Sequence, residues 1–231
     1  MRMFNQLFMI LFAIIAVVSC GGSGKKEAMP NQQHVVNNNE AEFISDDGKV
    51  NYRPDTARVY FNNPIDKSKA FIVISKKELR LFVYADINGD TTLIAHYPVC
   101  LSRNKGQKEK RGDMKTPESE PGSSFKIKQI QDASTWTHDF GDGRGAILSY
   151  GHWFMRLETP FSGIGIHGST NNENKMPGRD SEGCIRLRDR DLDHLHDNYA
   201  IVGMPVTIKG EKQGNLPFED KAKKSKGQLL R

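Results

Sequence analysis

The chain has 231 residues, of which 37% are hydrophobic and 26% charged, a composition typical of a soluble globular protein. It excludes a polytopic membrane protein, a collagen-like chain and a disulfide scaffold, for which three cysteines are too few. Of the net charge of +5, residues 209–231 supply +4 and Arg2 supplies +1, because residues 20–208 carry 25 basic and 25 acidic side chains. The absence of net charge over residues 20–208 argues against nucleic-acid binding, which needs a clustered basic face.

The N-terminus has the pattern of an export signal. Arg2 is followed by twelve apolar residues, Leu7–Val18, too few for a spanning helix but suited to the core of a signal peptide over residues 1–19. The small residue before Cys20 and the Gly/Ser stretch after it resemble a bacterial lipoprotein processing site, which predicts lipidation of Cys20. Ordinary signal cleavage is the alternative, and both predict an exported protein. A lipid would anchor the protein to a membrane without spanning it. Gly21, instead of an inner-membrane retention Asp, favours an outer membrane if the cell has one.

The next segments predict a flexible linker followed by a β-rich domain over residues 57–210. Residues 20–56 are rich in Gly, Asn, Gln, Lys and Glu and have little apolar surface to bury, which is typical of a linker. Three apolar or alternating segments then predict strands at 71–75, 79–84 and 92–99. Asn88-Gly89 between the last two is a strong hairpin signal, so we expect a three-stranded antiparallel meander.

The remaining chain predicts one long loop, several short strands and one helix. Residues 102–124 are charged and turn-rich, and long loops of this kind are usually functional or disordered. A helix starts near Asp189, with acidic residues early and histidines late, as the helix dipole favours. Residues 211–231 are expected to form a basic, disordered tail. Further strands are predicted at 125–130, 146–149, 164–166 and 206–208.

Two short motifs near the end of the domain carry groups suited to nucleophilic catalysis. Cys184 needs a base or a positive neighbour to become a thiolate, and His167, flanked by glycines, is the candidate base. Gly183 permits a tight turn that could direct backbone N–H groups at an oxyanion. Arg186 shares a side with Cys184 if the segment is extended, and its cation suits a substrate carboxylate. Ser181 is either a turn residue or a supporting residue of the site.

Several alternatives remain for these groups. Cys184 alone could be a buried structural thiol, as Cys100 at the end of a strand is expected to be. A disulfide between the two is conceivable outside the cytoplasm, where it would switch off a nucleophile. The histidine spacing does not match a zinc hydrolase. The acidic turn around Asn88 lacks the glycine and glutamate of a calcium loop, so no metal site is predicted.

These residues resemble the L,D-transpeptidase catalytic domain, or YkuD domain. The family carries a His-Gly pair, a gap, and Ser-x-Gly-Cys-hydrophobic-Arg or Asn, which His167-Gly168 and Ser181–Arg186 match. The resemblance covers about residues 70–210 and implies a mainly β fold of curved antiparallel sheets, sandwich- or barrel-like, with one or two short helices. The loop 118–125 is longer than the family's, which leaves fine substrate choice open. Other matching segments are 74–81, 105–106, 112–118 and 155–157.

The resemblance also implies a mechanism and a substrate. Cys184 attacks the third residue of a peptidoglycan stem tetrapeptide, releasing D-Ala, while His167 moves protons. The Gly168 carbonyl orients His167, and the N–H groups of Gly183 and Cys184 hold the oxyanion. An amine acceptor then gives a 3–3 crosslink or attaches a protein. Water would give a carboxypeptidase, an endopeptidase or an enzyme that releases lipoproteins from the wall. The family implies no metal or organic cofactor, a monomer, and a role in cell-wall organisation and cell shape.

Two rival hypotheses have specific sequence requirements. A sortase-like transpeptidase also uses His, Cys and Arg, but it needs a wider His-to-Cys gap and a Thr-Leu-x-Thr-Cys strand, which the sequence lacks. A non-catalytic peptidoglycan-binding lipoprotein on an inactive scaffold would not need the complete set of Cys184, His167, Gly183 and Arg186. The sequence therefore favours a lipid-anchored cysteine L,D-transpeptidase.

Overall fold

The part of the chain that the structure describes is mainly β-strand. The structure is a computed structural model that describes residues 43–44, 50–51, 57–60 and 64–224. The predicted signal peptide, Cys20 and residues 225–231 lie outside the described residues. Within the predicted linker, β1 (Phe43–Ile44) and β2 (Val50–Asn51) pair as antiparallel strands, so this part of the linker has secondary structure.

Thirteen further strands and two α-helices follow in the described residues. Two one-turn 3₁₀ helices span Lys67–Lys69 and Glu173–Lys175. The first group of strands is β3 (Arg58–Val59), β4 (Ala70–Ser75), β5 (Arg80–Ile87), β6 (Asp90–Pro98), β7 (Cys100–Ser102) and β8 (Phe125–Asp132). The second group is β9 (Thr137–Asp139), β10 (Ala146–Leu148), β11 (Trp153–Leu157), β12 (Gly165–His167), β13 (Gly178–Ser181), β14 (Ile185–Arg186) and β15 (Pro205–Lys209). The helices are α1 (Asp189–Asn198) and α2 (Pro217–Lys224).

Eleven of these strands form one sheet, which confirms the mainly β fold. The order across the sheet is β13-β7-β14-β12-β11-β8-β15-β4-β5-β6-β3. Most neighbouring strands are antiparallel, as predicted, but the sheet is mixed, because β12 with β14, β7 with β13, and β4 with β15 are parallel pairs. Parallel neighbours need long connections, and the segment between β12 and β14 is one of them. That segment ends in the turn before Cys184.

The meander predicted at the start of the domain is confirmed. Strand β5 pairs antiparallel with both β4 and β6. Asn88 and Gly89 have φ values of 56° and 91°, the positive values that a two-residue type I′ turn requires at both central positions. Residues of one face of the meander, such as Ile74 and Leu81, enter the main core together with Leu192 of α1. Full burial of each such side chain stabilises the fold by about 1.5–3 kcal/mol.

The other face of the meander is covered by the C-terminal helix. Residues 211–224 were expected to be disordered, but α2 packs through Phe218, whose ring centre lies 5.2 Å from those of Phe71 and Tyr84. Glu219 is 2% exposed, and its carboxylate accepts from Lys209 Nζ at 2.6 Å. The sequence pattern did not predict this helix, because α2 has few apolar residues among many charged ones. No helix in the described part of the chain is long and apolar enough to cross a membrane.

Candidate active site

Two adjacent parallel strands bring the predicted site residues together. His167 ends β12, and in the register of the pair it lies beside Arg186 of β14, which Cys184 precedes by two residues. All three side chains line one cavity of about 60 Å³. The other residues that line it are His138, Phe140, Ser149, Tyr150 and Glu182. The sequence motifs therefore meet in space, although 17 positions separate His167 from Cys184.

The turn before Cys184 is held by the buried Ser181. Its hydroxyl donates to the Cys184 carbonyl at 2.6 Å and accepts from the Gly183 N–H at 3.2 Å. Gly183 has a φ of +147°, and a Cβ there would lie only 3.0 Å from the Lys115 carbonyl oxygen. Only glycine fits such a position without strain. The N–H groups of Gly183 and Cys184 were both predicted to hold the oxyanion. In the structure the Gly183 N–H donates to Ser181 instead, so the Cys184 N–H is the predicted donor that remains.

The environment of Cys184 favours the neutral thiol over the thiolate. The residue is partly exposed, and its Sγ donates to the Gly163 carbonyl at 3.2 Å. Burial raises the pKa of the Cys184 thiol, although a backbone hydrogen bond from Gly165 and the nearby Arg186 cation act in the opposite direction. Because a thiol is a poor nucleophile, this cysteine needs a base at the moment of reaction.

His167 has the properties of that base. It is 4% exposed, and its Nδ1 lies 2.8 Å from the Gly168 carbonyl oxygen. A carbonyl can only accept, so Nδ1 carries the hydrogen and Nε2 is free to take a proton. Desolvation, followed by the Arg186 cation, lowers the pKa of His167 to about 3, against the effect of the Gly168 hydrogen bond. The Phe154 ring stacks on the imidazole, with a centroid distance of 5.5 Å.

Arg186 is a buried cation that lacks part of its hydrogen bonding. The residue is 5% exposed, and its guanidinium lies over the Phe140 ring at 5.2 Å. Among the described residues, none accepts a hydrogen bond from its Nη1. Since buried polar groups are normally satisfied, an unpaired guanidinium nitrogen in a cavity wall is suited to bind an anion.

A second and larger cavity shares part of its lining with the first. Its volume is about 520 Å³, and Cys184 and Glu182 line it as they line the smaller one. Part of its wall is the loop after β7, which the buried Lys108 and Asp113 stabilise through a 2.7 Å ion pair. Although burial acts to raise it, hydrogen bonds from Lys108 and three backbone N–H groups hold the pKa of Asp113 well below its usual range. Further lining residues are Arg111, Gly112, Met114, Tyr150, Pro160, Phe161, Ser162, Gly163, Ile164 and Gly183.

The comparison with known families agrees with the arrangement of these residues. A family model described as the L,D-transpeptidase catalytic domain (YkuD) matches residues 69–208. The chain belongs to the YkuD family. The resemblance seen in the sequence is thereby confirmed, and the match covers the whole of the sheet from β4 to β15 except its last residue. No protein with a curated description matches this chain.

Three solved structures are similar to this chain at low sequence identity. Bd1075 of Bdellovibrio bacteriovorus and the helical cell shape determining protein Pgp2 of Campylobacter jejuni are each 19% identical, with TM-scores of 0.46. An L,D-transpeptidase from Mycobacterium smegmatis is 15% identical, with a TM-score of 0.42. The alignments cover 68%, 67% and 62% of this chain and 54%, 52% and 59% of the respective structures. The chain thus spans little more than half the length of these proteins.

The β9–β10 hairpin of this YkuD domain contributes site residues that the sequence did not indicate. His138 on β9 places its Nε2 3.6 Å from Glu182 Oε1. Phe140, two residues later, has its ring beneath the Arg186 guanidinium. Arg144, in the connecting turn, donates to the carbonyl of Asn171 and to the side chain of Asn172. Phe140 beside the glycines of residues 141–145 was the only hint of a functional loop in this part of the sequence. No local pattern connects this loop with the Ser181–Arg186 motif, which lies about 40 residues later.

Cys100 occupies the strand next to the site. It pairs with Arg186 across β7 and β14, is completely buried, and has a pKa raised by burial. Cys100 and Cys184 are both free thiols. In the described part of the YkuD domain, no group of three or more His, Cys, Asp or Glu side chains is placed to hold a metal ion.

Proposed function

We propose that this YkuD domain is a cysteine-dependent L,D-transpeptidase that acts on peptidoglycan stem peptides. The observation that carries the proposal is the shared cavity of Cys184, a neutral His167 with its Nδ1 hydrogen fixed, and an Arg186 with an unpaired nitrogen. A nucleophile, a base and an anion-binding group are the parts that acyl transfer from a peptide carboxyl terminus needs.

The first half of the reaction forms a thioester. His167 Nε2 removes the proton from Cys184 Sγ as the sulfur attacks the carbonyl carbon of the third stem residue. The Cys184 N–H stabilises the resulting oxyanion. The tetrahedral adduct collapses, the bond to D-Ala breaks, and the leaving amine takes the proton from His167. The low basicity of the buried imidazole favours this return of the proton.

Arg186 is proposed to bind the carboxylate of the departing D-Ala. The cavity that it shares with Cys184 measures about 60 Å³, enough for a carboxylate and few further atoms. A bidentate contact there would satisfy the unpaired Nη1 and place the scissile bond beside the sulfur. This orientation would make a stem that ends in a free D-amino acid the preferred donor.

The larger cavity supports an amine acceptor over water. Its volume of about 520 Å³ would accommodate a peptide side chain that approaches the thioester through a cavity that Arg186 does not line. The acceptor amine attacks the thioester carbonyl, loses a proton to His167, and displaces the Cys184 thiolate, which is reprotonated. The product is a 3–3 crosslink, or a protein attached to the wall when the amine belongs to a protein.

The location of the enzyme is a separate part of the proposal. Residues 1–19 and Cys20 support an exported lipoprotein that faces the periplasm or cell wall, in the outer membrane if the cell has one. Metabolic labelling with an alkyne fatty acid would test this part. Label in the wild type and none in Cys20→Ala is expected, and equal labelling of both would contradict it.

Mass spectrometry of products tests the activity. The full chain in detergent micelles is incubated with disaccharide-tetrapeptides, beside Cys184→Ala and Cys100→Ala as the matched cysteine control. Loss of D-Ala with dimer formation in the wild type and in Cys100→Ala, and neither in Cys184→Ala, is expected. Loss of D-Ala without dimers would replace the transferase proposal by a hydrolase. No Cys184-dependent product and no thioester mass would contradict both.

A further inference from the structure

One peptide group connects His167 to a carboxylate on helix α1. The carbonyl that accepts from His167 Nδ1 belongs to the Gly168–Ser169 peptide bond. The N–H of the same peptide, on Ser169, donates to Asp189 Oδ1 at 2.7 Å. The imidazole, the peptide group and the carboxylate thus form a continuous hydrogen-bonded chain.

The Asp189 carboxylate is fixed in this position from several sides. Its Oδ2 accepts from the Thr170 hydroxyl, and the Asp189 backbone N–H donates to Glu173 Oε1 at 2.7 Å. Side chains at Gly151 or Gly168 would collide with the carboxylate, so both glycines permit its close approach. Although Asp189 begins α1, its side chain is bonded to the preceding loop.

A carboxylate that accepts from an amide N–H strengthens the carbonyl of the same amide as an acceptor. Hydrogen bonds in such a chain polarise one another, and the effect is largest where a full charge terminates the chain and water is excluded. His167 is 4% exposed, so the site meets the second condition. A stronger acceptor at Nδ1 stabilises the imidazolium that forms when Nε2 takes the Cys184 proton.

We propose that Asp189 is a positioning residue that strengthens His167 as the general base through the Gly168–Ser169 peptide. This inference rests on the proposed function, in which His167 takes the thiol proton. The arrangement performs the task of the carboxylate in a Cys-His-Asp system, with a peptide group between the acid and the imidazole. It counteracts the Arg186 and His138 side chains, which disfavour a charged His167.

The test removes the charge of Asp189 and keeps the hydrogen bond from Ser169. In Asp189→Asn the amide oxygen can still accept from Ser169, while the amide NH2 that replaces Oδ2 donates to the Thr170 hydroxyl instead of accepting from it. Asp193→Asn is the matched control on the same helix, where the aspartate pairs with the exposed His152. Glu173 and His152 also face Asp189 and are unchanged in the test variant. Three readouts are compared in the full chain: the NMR resonance of the His167 Nδ1 hydrogen, the pH profile of Cys184 alkylation by iodoacetamide, and kcat.

In Asp189→Asn, the Nδ1 hydrogen resonance is expected to move upfield and the alkylation midpoint to a higher pH. Because general-base catalysis is worth about 10²–10⁴-fold in rate, weakening the base is expected to lower kcat by about tenfold with little change in KM. Asp193→Asn should match the wild type. A folded Asp189→Asn with wild-type resonance and alkylation profile would overturn the inference and leave Asp189 a structural residue.

Two further outcomes are informative. If Asp189→Asn does not fold, Asp189→Glu replaces it, and this variant must keep the wild-type alkylation midpoint because the charge is retained; a raised midpoint would overturn the inference. If the wild type forms no Cys184-dependent product, the proposed function fails. The resonance and the alkylation profile would still decide whether Asp189 acts on His167, because neither depends on the substrate.

Discussion

The buried, neutral His167 should make the protein lose stability on mild acidification. Its pKa is lowered to about 3 in the folded state, against an ordinary value of 6.5 in the unfolded chain. Below pH 6.5 the unfolded state therefore binds a proton that the folded state does not, and the free energy of unfolding falls as the pH falls. With 1.36 kcal/mol per pH unit, the loss between pH 7.5 and pH 5 is about 2 kcal/mol.

Urea unfolding at these two pH values measures the effect. His167→Gln removes the titrating group, so the difference in unfolding free energy between wild type and variant should change by about 2 kcal/mol from pH 7.5 to pH 5. A difference that stays constant with pH would refute the reasoning. His152→Gln is the control of opposite sign, since Asp193 raises the pKa of His152. That residue contributes stability at low pH, which is lost as the pH rises.

Three further predictions concern single residues. Arg186→Lys should raise KM for tetrapeptide donors while leaving Cys184 alkylation intact, because lysine cannot form a bidentate carboxylate contact; unchanged donor kinetics would argue against the proposed carboxylate site. Gly183→Ala should lower kcat, since strain at a φ of +147° costs about 1–3 kcal/mol in the turn that carries the nucleophile; wild-type product formation would contradict this. Glu219→Gln leaves the buried ammonium of Lys209 without its carboxylate, so thermal unfolding should show a loss of about 3–5 kcal/mol, whereas an unchanged melting temperature would show that the pair is dispensable.

Local patterns made the meander and the motif predictable. The β-strand pattern of β5 and the Asn88-Gly89 turn are properties of adjacent residues, and the strand and the turn are both present in the structure. The expected alternation of buried and exposed side chains is not, because β5 is buried on both faces from Arg80 to Ala85. The contact of His167 Nδ1 with the Gly168 carbonyl came from the family resemblance and is also present. In each case the interacting groups lie close together in sequence, or the family motif fixes their spacing.

The features that the sequence did not indicate depend on distant segments. The parallel pairing of β12 with β14 follows from how a long loop returns, which periodicity does not reveal. The predictions included Asp189 only as the start of a helix, because its contact with Ser169 spans 20 residues. The Gly183 N–H was predicted to face the oxyanion, but the position of a buried Ser181 hydroxyl decides its direction.

Helix α2 shows that the folding unit is longer than the family domain. The family match ends at residue 208, yet Phe71 and Tyr84 on the meander are covered by Phe218, ten residues later. A fragment cut at the family boundary would expose this aromatic surface to water. Exposed apolar patches of this kind promote self-association. A fragment that ends at or beyond residue 224 is therefore expected to be monodisperse. Aggregation of shorter fragments would reflect the loss of α2 and would not bear on the active site.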